Sequence, residues 1–453
     1  MHAQSQIPRV LAAAALRGLL AALLAAPAIA TPAGLTIDDA IRSAWRQNPG
    51  IAASAGQVDA ARAEADAARD AALPKFVASA RAVATDEPMS AFGMKLDEQK
   101  ITQEDFIPSR LNAPDPIGGV GLGASIQQPI YTGGRLTAGR RAASYQADAE
   151  GSAHERRLQE MAFGVVQAYF GAQAAAEAVR HADDVLAHAR ETEQFVRARN
   201  ARGLTLDADV ARATAFRAQA EAERAAAAQR LATARASLAL LAGDEAATAD
   251  LVTPVLAAPS PPAAPGVAAQ PAATERPDVK AAQLRASAAR EGIRAARGAV
   301  MPEVVAEAGV DTLRSSPSQG ATWWTVALVA RWKLDVADLR STRAAEARAG
   351  AAEKALRWQE LQARNDVAEA RRAIATADAR VVSAREAVSA SESARDLRTA
   401  RHRQGLLPLT DVLDAEAALA GARSLLLRSQ LEARAARAQL QLALGEPVEG
   451  VRS

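Results

Sequence analysis

The second half of this chain repeats the plan of the first half. In each half, two short alternating segments interrupt very long stretches that favour helix and contain no proline. Neither half contains enough strand to close a sheet on itself, so the repeated unit is expected to assemble with further copies. The recurring motifs are Asn48-Pro49 with Arg276-Pro277, Leu73-Pro74 with Met301-Pro302, Gly203 with Gly405, Asp209-Val210 with Asp411-Val412, and Leu241-Ala242-Gly243 with Ala443-Leu444-Gly445.

Residues 1–30 have the three regions of a secretory signal peptide. Arg9 and Arg17 supply positive charge, residues 18–26 are apolar, and Ala28-Ile29-Ala30 forms an A-x-A cleavage site. The alternative is a membrane anchor, but the apolar run is too short to span a bilayer. We therefore expect export, with cleavage after Ala30.

Charge and cysteine content narrow the class of protein further. The chain has 54 Lys and Arg against 52 Asp and Glu, and the two arginines of the signal segment account for the excess. The pI of about 9.1 is therefore weak support for a nucleic-acid partner, and none is predicted. The arginines alternate with acids, as on solvated or interhelical faces. Without cysteine, disulfides are excluded.

Periodicity predicts a mainly helical protein in which each repeat contributes two strands and one long helical hairpin. Residues 86–118, which are proline-rich and of mixed charge, are predicted to form a long loop in the first repeat only. The predicted boundaries are a first repeat at 31–253, with strands at 76–85 and 119–128 and long helices at 137–199 and 206–242; a proline-rich linker at 254–277; and a second repeat at 278–453, with strands at 304–311 and 323–332 and long helices at 339–403 and 409–444.

The predicted strands are long enough to cross a bilayer at a tilt. Trp324 and Trp332 share the apolar face of one strand and stand about 26 Å apart at 3.3 Å per residue, which predicts an aromatic girdle at both membrane interfaces. The alternative is a half-buried sheet in a soluble domain. Four strands cannot close a barrel and open edges are not tolerated in lipid, so three chains sharing twelve strands would be needed.

Four motifs carry a family resemblance over nearly the whole mature length. They are LTIDDAIRSAWRQNPGI, QPIYTGGRL, GLTLDADVARATA and its repeat GLLPLTDVLDAEAAL. With these motifs the chain resembles the TolC-type outer-membrane efflux proteins. The resemblance implies a homotrimer with a 12-stranded β-barrel in outer-membrane lipid on a long α-helical barrel. It also implies a periplasmic membrane-fusion (adaptor) protein and an inner-membrane RND or ABC transporter as partners, in tripartite efflux or type I secretion.

The resemblance also assigns roles to residues of this chain. It places a pore constriction at Asp411, Asp414 and Asp209; the less favoured alternative is that Asp411 only caps its helix and Asp414 is solvated. The family's latch arginine and tyrosine correspond to Leu407 and His402 here, which puts that latch in doubt; Arg202, Arg401 or Arg403 could substitute. The periplasmic tip and adaptor contacts are expected at Arg202, Gly203, Leu204, Arg403, Gly405 and Leu406.

Catalytic and cofactor motifs are not evident. We find no Ser/His/Asp order, phosphate loop or metal-ligand spacing, and the glycines at 119–123 fit a strand better than a dinucleotide site. His181 and His188 are more simply explained by a solvated or interhelical face than by a metal site. The leading hypothesis is a passive export duct without enzymatic activity; the rival is a periplasmic coiled-coil scaffold or adaptor without a barrel. The cargo, whether drug, metal ion or polypeptide, is not encoded in these patterns.

Overall fold

The structure, a computed structural model, describes residues 34–254, 275–316, 319–333 and 335–448. The predicted signal segment and most of the predicted linker lie outside the described residues. The helices are α1 (Ile37–Gln47), α2 (Pro49–Asp70), α3 (Pro88–Asp97), α4 (Pro108–Asn112), α5 (Arg135–Asn200), α6 (Asp207–Ala242), α7 (Pro277–Ala299), α8 (Val336–Arg403) and α9 (Leu409–Leu444), with 3-10 turns at Gln103–Phe106 and Asp244–Ala247. The strands are β1 (Lys75–Thr85), β2 (Ile117–Tyr131), β3 (Glu303–Ser316) and β4 (Gln319–Arg331).

Local sequence explains where the first helices begin. The Thr36 hydroxyl accepts a hydrogen bond from the Asp39 amide at 3.2 Å, so Thr36 caps α1. The Asn48 side chain caps α2 by accepting from the Gly50 amide at 2.8 Å. Pro49 occupies the first helical position, where its missing N–H costs nothing.

Two long helical hairpins dominate the molecule. α5 packs along α6, α8 packs along α9, and α7 lies against both α5 and α8, so it joins the two repeats. At 1.5 Å per residue, the 66 residues of α5 and the 68 of α8 each extend about 100 Å. Within the described residues, no helix is both long enough and apolar enough to cross a bilayer.

Small residues at seven-residue intervals form the seams of these hairpins. A seven-residue repeat keeps one stripe of a helix facing its neighbour, and alanine lets the two backbones approach closely. The buried residues that follow this spacing are Ala213, Ala220 and Ala227 on α6, Ala363, Ala370, Ala377 and Ala384 on α8, and Ala415, Ala422, Ser429 and Ala436 on α9.

The largest core lies where α1 meets the middle of α5 and the ends of α6 and α9. Its buried aromatic pair is Tyr169 and Phe170, whose rings meet edge to face at 5.3 Å. The Tyr169 hydroxyl donates to the Leu35 carbonyl at 2.6 Å and accepts from the Thr253 amide at 3.0 Å. Both ends of the first repeat are therefore tied to one buried tyrosine.

The duplication extends to single contacts. In the first repeat the side-chain nitrogen Nδ2 of Asn48 donates to the Leu241 carbonyl at 3.5 Å. In the second repeat Arg276 donates to the Ala443 carbonyl at 3.4 Å. Asn48 and Arg276 each precede the proline that starts a helix. The carbonyl that each one contacts belongs to the residue two positions before the glycine that ends the last long helix of its repeat. The equivalent hydrogen bond is therefore present in both repeats, donated by a side-chain amide in the first and by a guanidinium in the second.

The four strands form one antiparallel sheet in the order β1-β2-β3-β4. The β2–β3 ladder joins the two repeats, and β1 and β4 are the edges. One face, the apolar face, exposes large hydrophobic side chains, including Phe76, Val120, Leu122, Ile126, Val310, Trp324, Val326 and Leu328. The opposite face, the polar face, carries Ser79, Arg81, Gly121, Gly123, Ser125, Gln127, Glu307 and Asp311, which pair across the strands.

The predicted loop at 86–118 is wrong in two respects. β1 and β2 leave only residues 86–116 between them, and this segment contains α3, a 3-10 turn and α4 rather than irregular chain. Both helices begin at prolines, Pro88 and Pro108, in the position where proline favours a helix start. The strand predicted at 304–311 extends to Ser316, and the strand predicted at 119–128 extends from Ile117 to Tyr131.

Candidate functional sites

The two tryptophans predicted to form a girdle lie on the apolar face of the sheet. Trp324 is 75% exposed in the single chain and sits opposite Val310 in the β3–β4 ladder. Trp332 follows directly after the last residue of β4 and is 66% exposed. Its indole Nε1 donates to the Val300 carbonyl at the end of α7, at 3.1 Å. Trp332 therefore marks the end of the sheet nearest the helices, and Trp324 lies toward the far end.

The turns at the opposite end of the hairpins are two copies of one motif. After α5, the Leu204 amide donates to the Arg199 carbonyl at 3.0 Å; after α8, the Leu406 amide donates to the Arg401 carbonyl at 3.0 Å. This six-residue closure is the Schellman ending of a helix and needs a left-handed residue. Gly203 and Gly405 supply it, with φ of +72° and +78°.

The predicted tip residues are all on the surface. Leu204 is 61% exposed and Leu406 is 69% exposed, although both are apolar. Arg202 and Arg403 are exposed beside the glycines of the two turns. Each turn therefore presents leucine and arginine side chains to its surroundings.

The predicted constriction residues lie in the first two turns of the returning helices. Asp411 is half-buried and Asp414 is exposed, both on α9, while Asp209 is half-buried at the start of α6. The neighbouring Val210 and Leu413 pack into a single apolar cluster with Val196, Ala213 and Leu409. The structure thus brings the start of α6 and the start of α9 to the same end of α5.

The end of α8, beside the second turn, also contacts α5 directly. Arg403 pairs with Glu191 of α5 at 3.1 Å, and the His402 ring meets the Phe195 ring edge to face at 6.2 Å. His402 Nδ1 lies 2.8 Å from the Leu407 carbonyl, which can only accept, so this nitrogen carries the hydrogen. Of the three arginines considered as substitutes for the family latch, Arg403 makes an inter-repeat ion pair, and its partner is Glu191 rather than Asp209.

His181 and His188 line a cavity of about 120 Å³ between α5, α6 and α9. Around them are acidic and basic side chains, among them Asp184, Glu223 and Arg423. In the described residues, no group of three or more metal-ligating side chains converges on one point. The lining side chains of both charges make the surroundings of the two histidines a mixed interhelical surface.

Arg276 forms a buried ion-pair cluster that was not predicted from the sequence. Its side chain is 2% exposed and bridges Asp278 at 2.7 Å and Asp366 of α8 at 2.9 Å. Gln359 of α8 also donates to Asp278, at 2.7 Å. Burial by itself raises the pKa of Asp278, but the hydrogen bond from Arg276 and the nearby Arg156 charge outweigh it and hold that pKa below its usual value. The duplicated Asn48/Arg276 position was visible in the sequence, but the buried partners were not.

Comparison with known proteins gives a family match over most of the chain. The profile of a family described as "Outer membrane efflux protein" matches residues 40–244 and 268–446. No curated protein matches the sequence.

Solved structures share the fold at low sequence identity. The Campylobacter jejuni CmeC outer membrane channel superposes with a TM-score of 0.80 at 15% identity, covering 92% of this chain and 87% of that one. The Vibrio cholerae outer membrane protein VceC gives 0.74 at 20% identity, covering 91% and 97%. The open state of the Neisseria gonorrhoeae MtrE outer membrane channel gives 0.73 at 22% identity, covering 91% and 90%.

Proposed function

The chain belongs to the outer membrane efflux protein family, and from that premise we propose that three copies build one continuous duct. The protein is an exit channel of the outer membrane in Gram-negative bacteria. In the proposed assembly, each copy contributes four strands to a 12-stranded barrel and two helical hairpins to a tunnel in the periplasm. Transport through the duct is passive, since energy comes from an inner-membrane pump.

The open sheet with an exposed apolar face is the observation that carries this proposal. Leu122, Val326 and Leu328 are 55%, 71% and 72% exposed in the single chain. In water such a surface would be unfavourable, whereas in hydrocarbon it is the preferred one. The two edge strands have ladder partners on one side only, and in lipid every backbone group must be satisfied. Pairing β4 of one copy with β1 of the next satisfies both edges.

The helical hairpins fit the periplasmic half of the duct. Helices of about 100 Å can reach far from the outer membrane toward an inner-membrane partner. The exposed leucines and arginines of the two tip turns are suited to packing against an adaptor hairpin. The proposed partners are therefore a periplasmic membrane-fusion protein and an RND or ABC transporter. The pump determines the cargo.

The rival function is a soluble periplasmic scaffold without a barrel. It would explain the heptad helices equally well. It leaves the apolar face of the sheet, with its two exposed tryptophans, without a role.

Fractionation and pore measurements test the proposal against this rival. We expect the protein in the outer-membrane fraction, as a trimer that survives SDS without heating, and as a conducting pore in planar bilayers. Recovery as a soluble monomer that forms no pores would contradict the proposed duct and favour the scaffold.

The aspartates near the turns give a more detailed prediction. In a trimer, Asp411 and Asp414 would place six carboxylates at one constriction, which favours cations over anions. The double variant Asp411→Asn/Asp414→Asn is therefore expected to lower cation selectivity, measured as the reversal potential in a salt gradient. The matched control is Asp59→Asn/Asp66→Asn on α2, which removes the same charge far from the turns. Equal selectivity in both variants would show that these aspartates do not line the narrowest part of the pore.

A further inference from the structure

We propose that residues 86–116 form a fixed constriction inside the outer mouth of the barrel, rather than a loop extending into the medium. The proposal rests on the barrel described above. The segment joins β1 to β2 at the end of the sheet farthest from the helices, because α2 enters β1 at Lys75 and β2 leaves toward α5 at Tyr131. With the helices in the periplasm, this end is the outer one.

The direction in which the segment folds follows from the two faces of the sheet. If the apolar face contacts lipid, the polar face with Arg81, Glu307 and Asp311 surrounds the lumen. Strand residues alternate between faces, so Leu313 lies on the lumen side with Asp311. Leu313 is nevertheless only 2% exposed, although a lumen-facing side chain of an open barrel would be accessible.

The segment 86–116 covers that side chain. α3 packs against β2 and β4, which flank β3. A Cβ added at Gly119 would meet Glu98 Oε1 at 3.1 Å and Leu313 Cδ1 at 3.3 Å, so Glu98 and Leu313 lie together over this glycine. Gly119 faces the lumen, as do Gly121 and Gly123 of the same strand. The segment therefore lies across the lumen face of the sheet.

Ion pairs hold the segment in this folded-back form. The Glu98 side chain is fully buried, with Lys100 Nζ 2.7 Å from its Oε2 in an ion pair rather than an aligned hydrogen bond. Lys95 pairs with Asp105 at 2.9 Å, and Asp105 also accepts from the Thr102 amide at 2.7 Å. The bond from Lys95 and those from Thr102 lower the pKa of Asp105 to about 2, so this link persists through the physiological pH range.

The same ion pairs leave the segment with unpaired negative charge. Its basic residues are Lys95, Lys100 and Arg110, and each is paired with an acid of the segment. Four further carboxylates are exposed and make no ion pair within the described part of the chain: Asp86, Glu87, Asp97 and Asp115. Three copies of these groups in a narrowed exit would raise the local cation concentration and repel anions.

The second repeat has no counterpart of this segment. β3 ends at Ser316 and β4 begins at Gln319, so only two residues join them. The constriction would consist of three elements around the barrel, one per copy. It would be separate from the six helical turns at the periplasmic end.

Leu313→Asn tests whether the apolar contact at Leu313 holds residues 86–116 in place. The readout is single-channel conductance. Removing the apolar contact should loosen the segment and give larger, noisier single-channel currents in planar bilayers. Thr325→Asn is the matched control: it introduces the same group on the lumen face of β4, where the original side chain is exposed. Indistinguishable currents from the two variants would contradict the proposed contact between residues 86–116 and Leu313.

Asp97→Cys tests whether the segment lies in the conduction path. The protein contains no cysteine, so a thiol reagent would label this position alone. We expect a bulky neutral maleimide, added from the outer side, to reduce conductance, while the wild-type protein is unaffected. Full labelling shown by mass spectrometry, with unchanged conductance, would overturn the constriction but leave the barrel intact. If the wild-type protein forms no pore, the barrel itself fails and the constriction with it.

The exposed carboxylates provide an independent readout. The variant Asp86→Asn/Glu87→Gln/Asp97→Asn/Asp115→Asn should shift the reversal potential toward that of a less cation-selective pore. Conductance should change less than with Leu313→Asn. An unchanged reversal potential would remove the electrostatic part of the proposal.

Discussion

Leu328→Arg is expected to prevent stable insertion of the protein into the outer membrane. Leu328 lies midway between Trp324 and Trp332 on the apolar face and is 72% exposed in the single chain. An arginine facing lipid at the bilayer midplane costs about 2–4 kcal/mol in a membrane barrel. Every copy in a trimer carries the substitution, so the cost recurs around the barrel. The yield of unheated trimer in the outer membrane and the urea midpoint of its unfolding both measure the effect.

The neighbouring residue provides the control for this prediction. Ala327→Arg places the same side chain on the other face, directly opposite Glu307 in the β3–β4 ladder. A water-filled lumen tolerates the charge, and the cross-strand carboxylate attracts it. Ala327→Arg should therefore assemble nearly normally. If both variants assemble equally well, the apolar face does not contact lipid.

Arg276→Ala is expected to destabilise the junction between the repeats strongly. The substitution removes a side chain that is 2% exposed and leaves Asp278, whose side chain is 18% exposed, without its charge partner. Removing one member of a buried ion pair typically costs about 3–5 kcal/mol, because the remaining charge stays desolvated. Asp366 is less buried, so its share of the loss is smaller. The midpoint of thermal unfolding, followed by circular dichroism in detergent, should fall markedly.

Arg290→Ala is the matched control on the same helix. Arg290 also reaches from α7 to α8, where it pairs with Glu353 at 3.0 Å, but the two side chains are 57% and 39% exposed. Exposed pairs contribute about 0–1 kcal/mol, so little change is expected. Comparable midpoints for the two variants would show that burial of Arg276 is not what holds α7 against α8. A double variant, Arg276→Leu/Asp278→Asn, should recover part of the loss because the more buried of the two carboxylates is then neutral, while the remaining Asp366 is 38% exposed and stays hydrated.

The regular parts of the fold could be predicted because their periodicity is local. The alternation in β4 and the proline-free stretches of α5 and α8 identify the elements without knowledge of their neighbours. Gly243 likewise marks the end of α6, predicted at residue 242, through backbone geometry that depends on a few residues.

What the sequence did not reveal depends on contacts between distant segments. Arg276 was recognised as the counterpart of Asn48, yet its burial depends on Asp366, which lies 90 residues away. The strand β3 was predicted to end at residue 311, two residues before Leu313 interrupts the alternation of its polar face. That interruption marks the place where residues 86–116 cover the strand, so the irregularity itself carried information about the missing contact.

The alanine seams have a consequence for how the helical hairpins keep their relative positions. A methyl group has no rotamers and fills no deep hole, so an alanine stripe resists sliding far less than interdigitating leucines would. Axial register must then come from interhelical charges such as Arg380 with Glu432 at 2.8 Å and Arg437 with Asp378 at 2.6 Å. These pairs are partly exposed and are screened by salt, whereas the apolar seam is not. Ionic strength should therefore tune how easily neighbouring helices slip past each other while leaving their association intact.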